Sequence, residues 1–351
     1  MTHLEQRMEA DLNQIREWVW KIGDDITHAL HNAKKTLVVR DEELVYATVL
    51  GDQPINRESR ECDRLCHMFI ARYLPGAGIL REMASTIRVN VALERVGDYA
   101  VTISREGLQI HDGLSQSLAV ELDGLADQAL DILTQSRTAF RNGNADLAAA
   151  LIHVAQNMQV NMDHIYEDLF AQDARMDGRT MMALFVIFNL FKRVADQAKN
   201  ICDQTIYSVR GIAKIPKVYR ILFLDQADSG LAQLAVSIGR KNFLETAKFA
   251  AATPGGSEPL APSLQEFLLE TGLPDEDLDT ESLETLEHDL AAFTVIVSLN
   301  GKVSDFIPTV PFHTTPLNWV LPATADHAEL YRLLRGEITQ LVTLLAGDEA
   351  S

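Results

Sequence analysis

The chain has 351 residues, 47% of them hydrophobic, and fifty acidic side chains against 31 basic ones leave a formal charge of −19. That is material for about two domains with cores of their own, and a surface so negative repels phosphate backbones and anionic lipid, which argues against nucleic-acid binding and simple membrane adhesion. Three cysteines, Cys62, Cys66 and Cys202, are too few for a disulfide framework. No basic-then-apolar leader is seen, and the longest nearly unbroken apolar run, Met181 to Phe191, has eleven residues interrupted by Asn189 where a spanning helix needs about 20. A cytoplasmic protein without direct membrane insertion is expected.

From Glu5 to about Ile215 apolar residues return at spacings of three and four, which predicts helices. The first runs from Glu5 to Val39 and the second from about Arg40 to Tyr73, stopped by Leu74-Pro75-Gly76-Ala77-Gly78. A third spans Leu80 to Leu108 and ends at the polar segment Ile110 to Ser117. Three more are predicted at Leu118 to Arg141, Ala145 to Gln172 and Thr180 to Val209. The last three repeat the order of the first three: Leu93-Glu94-Arg95-Val96-Gly97-Asp98-Tyr99-Ala100 aligns with Phe191-Lys192-Arg193-Val194-Ala195-Asp196-Gln197-Ala198, with Arg, Val, Asp and Ala recurring in place. The reading is a domain over residues 1–213 made of two three-helix bundles, about 5–110 and 118–212.

At Gly211 to Lys217 the pattern changes. Tyr219 to Leu224 reads as a buried strand, with further apolar runs at Lys248 to Ala251, Ala292 to Leu299 and Leu317 to Leu321. Helical patterns lie at Ser263 to Thr271, Thr280 to Leu290 and Asp326 to Leu345. Alternating strands and helices predict a small parallel α/β domain over 217–351. The fold class is therefore multidomain, α followed by α/β. Residues up to 216 carry 30 acidic and 23 basic side chains, so −12 of the charge falls in the remaining 135 residues. Asp275 to Asp289 alone holds eight carboxylates and no Lys or Arg, a solvated face or a site for a basic partner.

Glu94 and Asp98 stand one helical turn apart, where like charges cost about 0.2 to 0.5 kcal/mol. A cation is expected nearby: Arg95, a Lys or Arg of another helix, or a metal ion held by oxygens of several helices. Gly97, about 1 kcal/mol worse than Ala inside a helix, points to a close neighbour. Cys62 and Cys66 share a helix face but lack the ligand count of a metal site and are expected in the core, like Cys202. His28 and His31 on the first helix have no fixed direction.

These residues resemble the PhoU family of phosphate-signalling regulators, whose tandem three-helix repeats each carry Glu/Asp-x-x-x-Asp. The resemblance covers residues 5–212: Glu94-Arg95-Val96-Gly97-Asp98, preceded by Gly51-Asp52, Ile55-Asn56 and Pro75, in the first repeat, and Arg193-Val194-Ala195-Asp196 with Asn200-Ile201-Cys202 in the second. It implies Asp52, Glu94 and Asp98 as candidate ligands of a divalent or iron-type metal. The second repeat departs from the pattern, because Lys192 takes the place of Glu beside Asp196 and Asn157 falls near the place of Asp52. A Lys192–Asp196 ion pair is expected there, leaving at most one metal site, in the first repeat.

From Arg220 onward the order of elements resembles the low-molecular-weight tyrosine phosphatase and arsenate reductase fold. Arg220 to Leu224 corresponds to its first strand, and Ser229, Gln233 and Ala235 fall where the phosphate loop enters the first helix. The chemistry needs a Cys nucleophile, an Arg anion clamp and an acidic proton donor. Here Asp225, Leu231 and Ala323 occupy those places, and Asp225 and Asp228 put two negative charges beside Ser229 in the loop. No catalytic residue is assigned, and the domain is expected to be a pseudophosphatase.

The first resemblance implies a non-enzymatic negative regulator of phosphate transport and homeostasis. Its partners would be a phosphate ABC transporter ATPase and a phosphate sensor kinase, with self-association as a homo-oligomer and attachment to the inner face of the membrane only through partners. The alternative is a carboxylate metalloprotein with redox or hydrolytic activity at Asp52, Glu94 and Asp98, although the Glu-x-x-His pairs of di-iron bundles are absent. An active phosphatase or reductase is the third reading.

Overall fold

A computed structural model describes residues 2–39, 41–110, 114–156, 158, 177–212, 218–226, 229–256, 260–275, 278, 280–286, 289–322 and 326–347. The chain divides into two units, Met1–Lys214 and Ile215–Ser351.

The first unit is helical. α1 (His3–Val39) buries Leu12, Ile15, Val19, Ile22, Ile26, Leu30 and Ala33, one residue per turn on one face. α2 (Glu42–Tyr73) begins at Asp41, whose side chain accepts from the N–H groups of Glu43 and Leu44, and closes at Leu74, a left-handed cap with φ 42°. Pro75 cannot continue a helix, and Gly76 caps α3 (Ala77–Gly107). The third helix thus starts three residues before the expected Leu80, because Ala77 and Gly78 enter the helix once Gly76 takes the extended cap conformation. α4 (Gln116–Arg141) is capped by Ser115. α5 is described over 145–156, and the rest of the helix expected there lies outside the described residues except for 158. α6 (Gly178–Arg210) is capped by Asp177 and ended by Gly211 at φ 69°.

The two repeats share one core. α3 and α6 pack along each other, α1 and α2 flank α3, α4 flanks α6, and a single apolar cluster runs from Leu12 through Leu93 and Val96 to Phe188 and Phe191. The first helices of the repeats are joined differently, by charge. Lys34 Nζ lies 2.8 Å from Asp123 and 2.6 Å from Asp127, and Arg137 lies 2.6 Å from Asp24.

Arg137, only 5% exposed, donates to Thr27 Oγ1 (2.6 Å), Asp24 Oδ1 (2.6 Å) and the carbonyl of Trp20 (3.2 Å), with its guanidinium 4.6 Å from the Trp20 ring centroid. Burial lowers its pKa and the Asp24 carboxylate opposes that shift. Gly23 makes the approach feasible, since a Cβ there would stand 2.3 Å from Arg137 Nε.

The second unit is a five-stranded parallel sheet in the order β3-β2-β1-β4-β5: β1 (Tyr219–Leu224), β2 (Ala247–Thr253), β3 (Glu281–Ser282), β4 (Val295–Leu299) and β5 (Thr315–Trp319). Central β1 is apolar on both faces, as a covered parallel strand must be. Ile221 and Phe223 enter the core with α7 (Leu231–Phe243), α8 (Pro262–Thr271) and α11 (His327–Ala346). Leu222 and Leu224 enter the opposite cluster with Leu286, Leu290, Phe293, Val303 and Ile307.

One expected helix is corrected. Thr280 to Leu290 is not one helix but the edge strand β3, the single turn α9 (Leu283–Leu286) and a 3-10 turn at Leu290–Ala292. Glu281 and Ser282 pair with Ala252 and Thr253, and Thr280 Oγ1 donates to the Gly256 carbonyl. Edge pairing therefore overrides the helical spacing of Leu283, Leu286 and Leu290. A last short helix, α10 (Val303–Phe306), follows β4. Because β1 lies between β2 and β4, the winding reverses at β1, and a doubly wound sheet offers its crevice at the carboxyl ends of such strands.

Gly23→Ala is expected to destabilise the protein by about 1–3 kcal/mol, since the new methyl meets a guanidinium held by three hydrogen bonds and unable to yield. Thermal unfolding of the variant against the parent checks this.

Candidate functional site

The carboxylate face is built by α2 and α3. Asp52, 8% exposed, accepts from Asn56 Nδ2 through Oδ2 at 2.6 Å. Its Oδ1 is buried without a hydrogen-bond partner, as is Asn56 Oδ1. Asp52 Oδ1 is also the group that lies against Gly97, 3.4 Å from where a Cβ would stand. The glycine inside α3 thus admits a neighbouring carboxylate. Half-buried Glu94 and exposed Asp98 flank it.

Burial raises the pKa of Asp52, the Asp98 charge adds to the rise, and the Asn56 hydrogen bond and Arg105 oppose it. Glu94 is likewise raised by burial, then by Asp98 and Asp52, against Arg95 and Arg60. The charges that oppose these rises are arginines of α2 and α3: Arg60, Arg95 and Arg105. Asp52 Oδ1 is a hard oxygen with an unused lone pair, of the kind a divalent cation takes. Yet among the described residues no three His, Cys, Asp or Glu side chains are gathered into a ready ligand set. A cation at this face has to draw Glu94 and Asp98 in toward Asp52.

In the second repeat Lys192 and Asp196 are half-buried one turn apart on α6. Asn200 donates to Gln197 Oε1 at 3.3 Å and lines a cavity between α3 and α6 that also takes Arg88 and Arg95. The position of Asn157 lies outside the described residues.

In the second unit Asp225 follows β1 and is 2% exposed. It accepts from the N–H groups of Gln226 (2.7 Å), Leu231 (3.0 Å) and Ala232 (3.3 Å) and from the Ser229 hydroxyl. Leu231 and Ala232 begin α7, so the amides that would cradle an anion at a helix start are taken by the chain's own carboxylate. Burial raises the Asp225 pKa and these bonds oppose the rise, Ser229 most. Leu231, the residue at the place where the resemblance would require Arg, is apolar and buried. Asp228 and Ala323 lie outside the described residues.

No cysteine occurs beyond Cys202. Cys62, Cys66 and Cys202 are buried free thiols. Contact with Cys66 and burial push the Cys62 thiol far above its ordinary range, and burial pushes Cys202 up to about 12, which disfavours the thiolate at both. His28 and His31 are exposed on α1. Sequence reasoning missed the Arg137 cluster: Gly23-Asp24 beside Trp20 was the available signal, but nothing in periodicity pairs it with an Arg 113 residues away.

With this geometry in view, residues 19–106 and 122–205 each match the PhoU domain. The helical unit belongs to the PhoU family. The phosphate-specific transport system accessory protein PhoU homolog of Pseudomonas putida is 28% identical over 213 residues, 60% of this chain and 83% of the relative. The accessory protein PhoU of Escherichia coli K12 is 26% identical over 212 residues, 60% and 88% of the two chains. Among solved structures, PhoU from Pseudomonas aeruginosa superposes with a TM-score of 0.56 at 25% identity, over 58% of this chain and 99% of that one. PhoU from Streptococcus pneumoniae gives 0.55 at 20% identity, over 59% and 99%.

Two outcomes are expected. Asp52 and Glu94 bind protons more tightly folded than unfolded, so their contribution to stability is smallest above the raised pKa values and is recovered as pH falls through them. In chelator, Asp52→Asn should raise stability at neutral pH by about 1 kcal/mol and flatten its dependence on pH above about pH 4, the ordinary carboxylate range, as read by thermal melts. Asp225→Ala should cost about 1–3 kcal/mol by orphaning the Leu231 and Ala232 amides, while parent and variant alike show no aryl phosphate hydrolysis or arsenate reduction in a direct assay.

Proposed function

We propose that the chain is a non-enzymatic regulator of phosphate uptake and phosphate-starvation signalling, docking through its helical unit on a phosphate ABC transporter ATPase and a phosphate sensor kinase. The observation that carries this reading is the pair of PhoU domains folded around one core, with relatives whose names place them in the phosphate-specific transport system. The charge of the second unit and the self-filled Asp225 loop support a role in recognition instead of turnover: a negative field steers association and makes the on-rate salt-sensitive.

We further propose that a hard divalent or iron-type cation binds at Asp52, Glu94 and Asp98. The orphaned Asp52 oxygen supports this, and a cation there would offset the burial and the mutual repulsion that together raise two of the three carboxylates. Work occurs on the cytoplasmic side, where the ATPase and kinase domains would be met. No helix among the described residues is long and apolar enough to cross a membrane.

Co-purification tests the docking. The chain cut after Ala213, just beyond the Gly211 cap of α6, should retain the transporter ATPase or the sensor kinase from phosphate-replete cells as the full chain does. A well-folded fragment that retains neither, while the full chain retains one, would move recognition to the second unit.

A further inference from the structure

The sheet of the second unit has two edges of opposite character. At one stands β3, two residues long and set within Asp275 to Asp289, the segment of eight carboxylates and no Lys or Arg. A short, charged edge of this kind resists pairing with a further strand. At the other stands β5, five residues long and, among the described residues, bonded to a strand on one side only, that of β4. It lies within residues 306–325, the longest stretch of the chain without Asp, Glu, Lys or Arg. Phe312 before the strand is 96% exposed, and Val320 after it is 86% exposed. An uncharged edge with bare apolar side chains is the exception in a unit that carries −12, and such patches mark association surfaces.

The hydrogen bonds to β4 fix which backbone groups face outward. Thr315 N–H donates to the Thr294 carbonyl at 3.0 Å, and Asn300 N–H donates to the Trp319 carbonyl at 2.9 Å. The odd-numbered residues of β5 therefore turn their backbone groups to β4, and those of residues 316, 318 and 320 turn away from it. Pro316 has no N–H, nor has Pro322 just beyond the strand. The outward donors are thus the N–H groups of Asn318 and Val320, bounded by a proline on either side. The Asn318 side chain does not cover them, because its Oδ1 accepts from Val303 N–H at 2.8 Å. Two such segments laid antiparallel about a two-fold axis near Trp319 satisfy each other: each outward N–H meets an outward carbonyl of the other copy, and the prolines stop the ladder from growing.

We infer that β5 pairs antiparallel with β5 of a second copy of this chain, a contact made by the second unit and lying outside the PhoU domains. Charge selects that occupant. A basic partner is drawn to the β3 edge, where the carboxylates are, whereas β5 is the edge at which two equally acidic copies meet without setting like charges against each other. The contact is isologous, so it closes at two copies. Such a dimer carries two helical units, and any partner of that unit then meets a bivalent molecule.

Sedimentation velocity of the full chain over a concentration series tests this. A reversible dimer is expected with a Kd of about 1–100 μM, in keeping with a small interface. Raising NaCl from about 0.05 to about 0.5 M should tighten it severalfold, because salt screens the repulsion between two acidic copies while the contact itself is uncharged. Val320→Glu, which sets like charges at the edge, should weaken the dimer at least about tenfold, and Val320→Pro, which removes an outward N–H without adding charge, should do the same. Both should melt close to the parent, since the position is exposed. Amide exchange over residues 315–321 should slow with rising concentration in the parent and not in either variant. A chain that stays monomeric at about 300 μM, a dimer unchanged in both variants, a dimer that salt dissociates, or concentration-dependent protection in the helical unit instead of β5 would each overturn the assignment.

Discussion

Neither repeat of the helical unit can bury its third helix alone, and that constraint organises the unit. α3 and α6 present apolar faces broad enough to need a neighbour on more than one side, and each finds it in the other. The small residues Ala100, Ala195 and Ala198, all buried, stand along these two helices. Small side chains permit close axes, and close axes bring in the apolar contacts that supply most of the stability of such bundles. The tandem repeat is therefore one folding unit and not two bundles in series.

The charged groups follow from this packing. Once α3 and α6 occupy the centre, α1 and α4 meet over a seam that carries Lys34 with Asp123 and Asp127, and Arg137 with Asp24. A buried guanidinium is costly unless its donors are used, and here three are. Asp52 is the opposite case: it is buried beside two other carboxylates with one oxygen unused. The molecule thus satisfies a cation where the repeats join and leaves an anion unsatisfied on the face of the family's recurring acidic pattern, and the second is where external chemistry has something to gain.

In the second unit the same accounting explains how a loop fills itself. A loop at a helix start presents amides that need an acceptor, and a phosphoryl substrate is one solution. Asp225 is another: its carboxylate takes the amides of Leu231 and Ala232 and the hydroxyl of Ser229 from inside the chain. The sheet takes its stability from β1 and its neighbours, none of which depends on the chemistry of the loop.

Much of this was legible in the sequence. The six-helix order, the repeat of Arg95-Val96 and Asp98 at Arg193-Val194 and Asp196, and the β/α alternation after Tyr219 all rest on local periodicity, which a linear pattern carries directly. The residue types around the loop after β1, Asp225 and Leu231, are likewise read from their order alone. The tertiary structure decided what depends on pairs distant in the chain. It split the expected helix at Thr280 to Leu290 because Glu281 and Ser282 found a strand edge nearly thirty residues back. It set Arg137 against Gly23, and it brought Asp52 of α2 under Gly97 of α3. Periodicity says which face of an element is buried but not what lies against it, and the choice of partner is made by the packing of the whole unit.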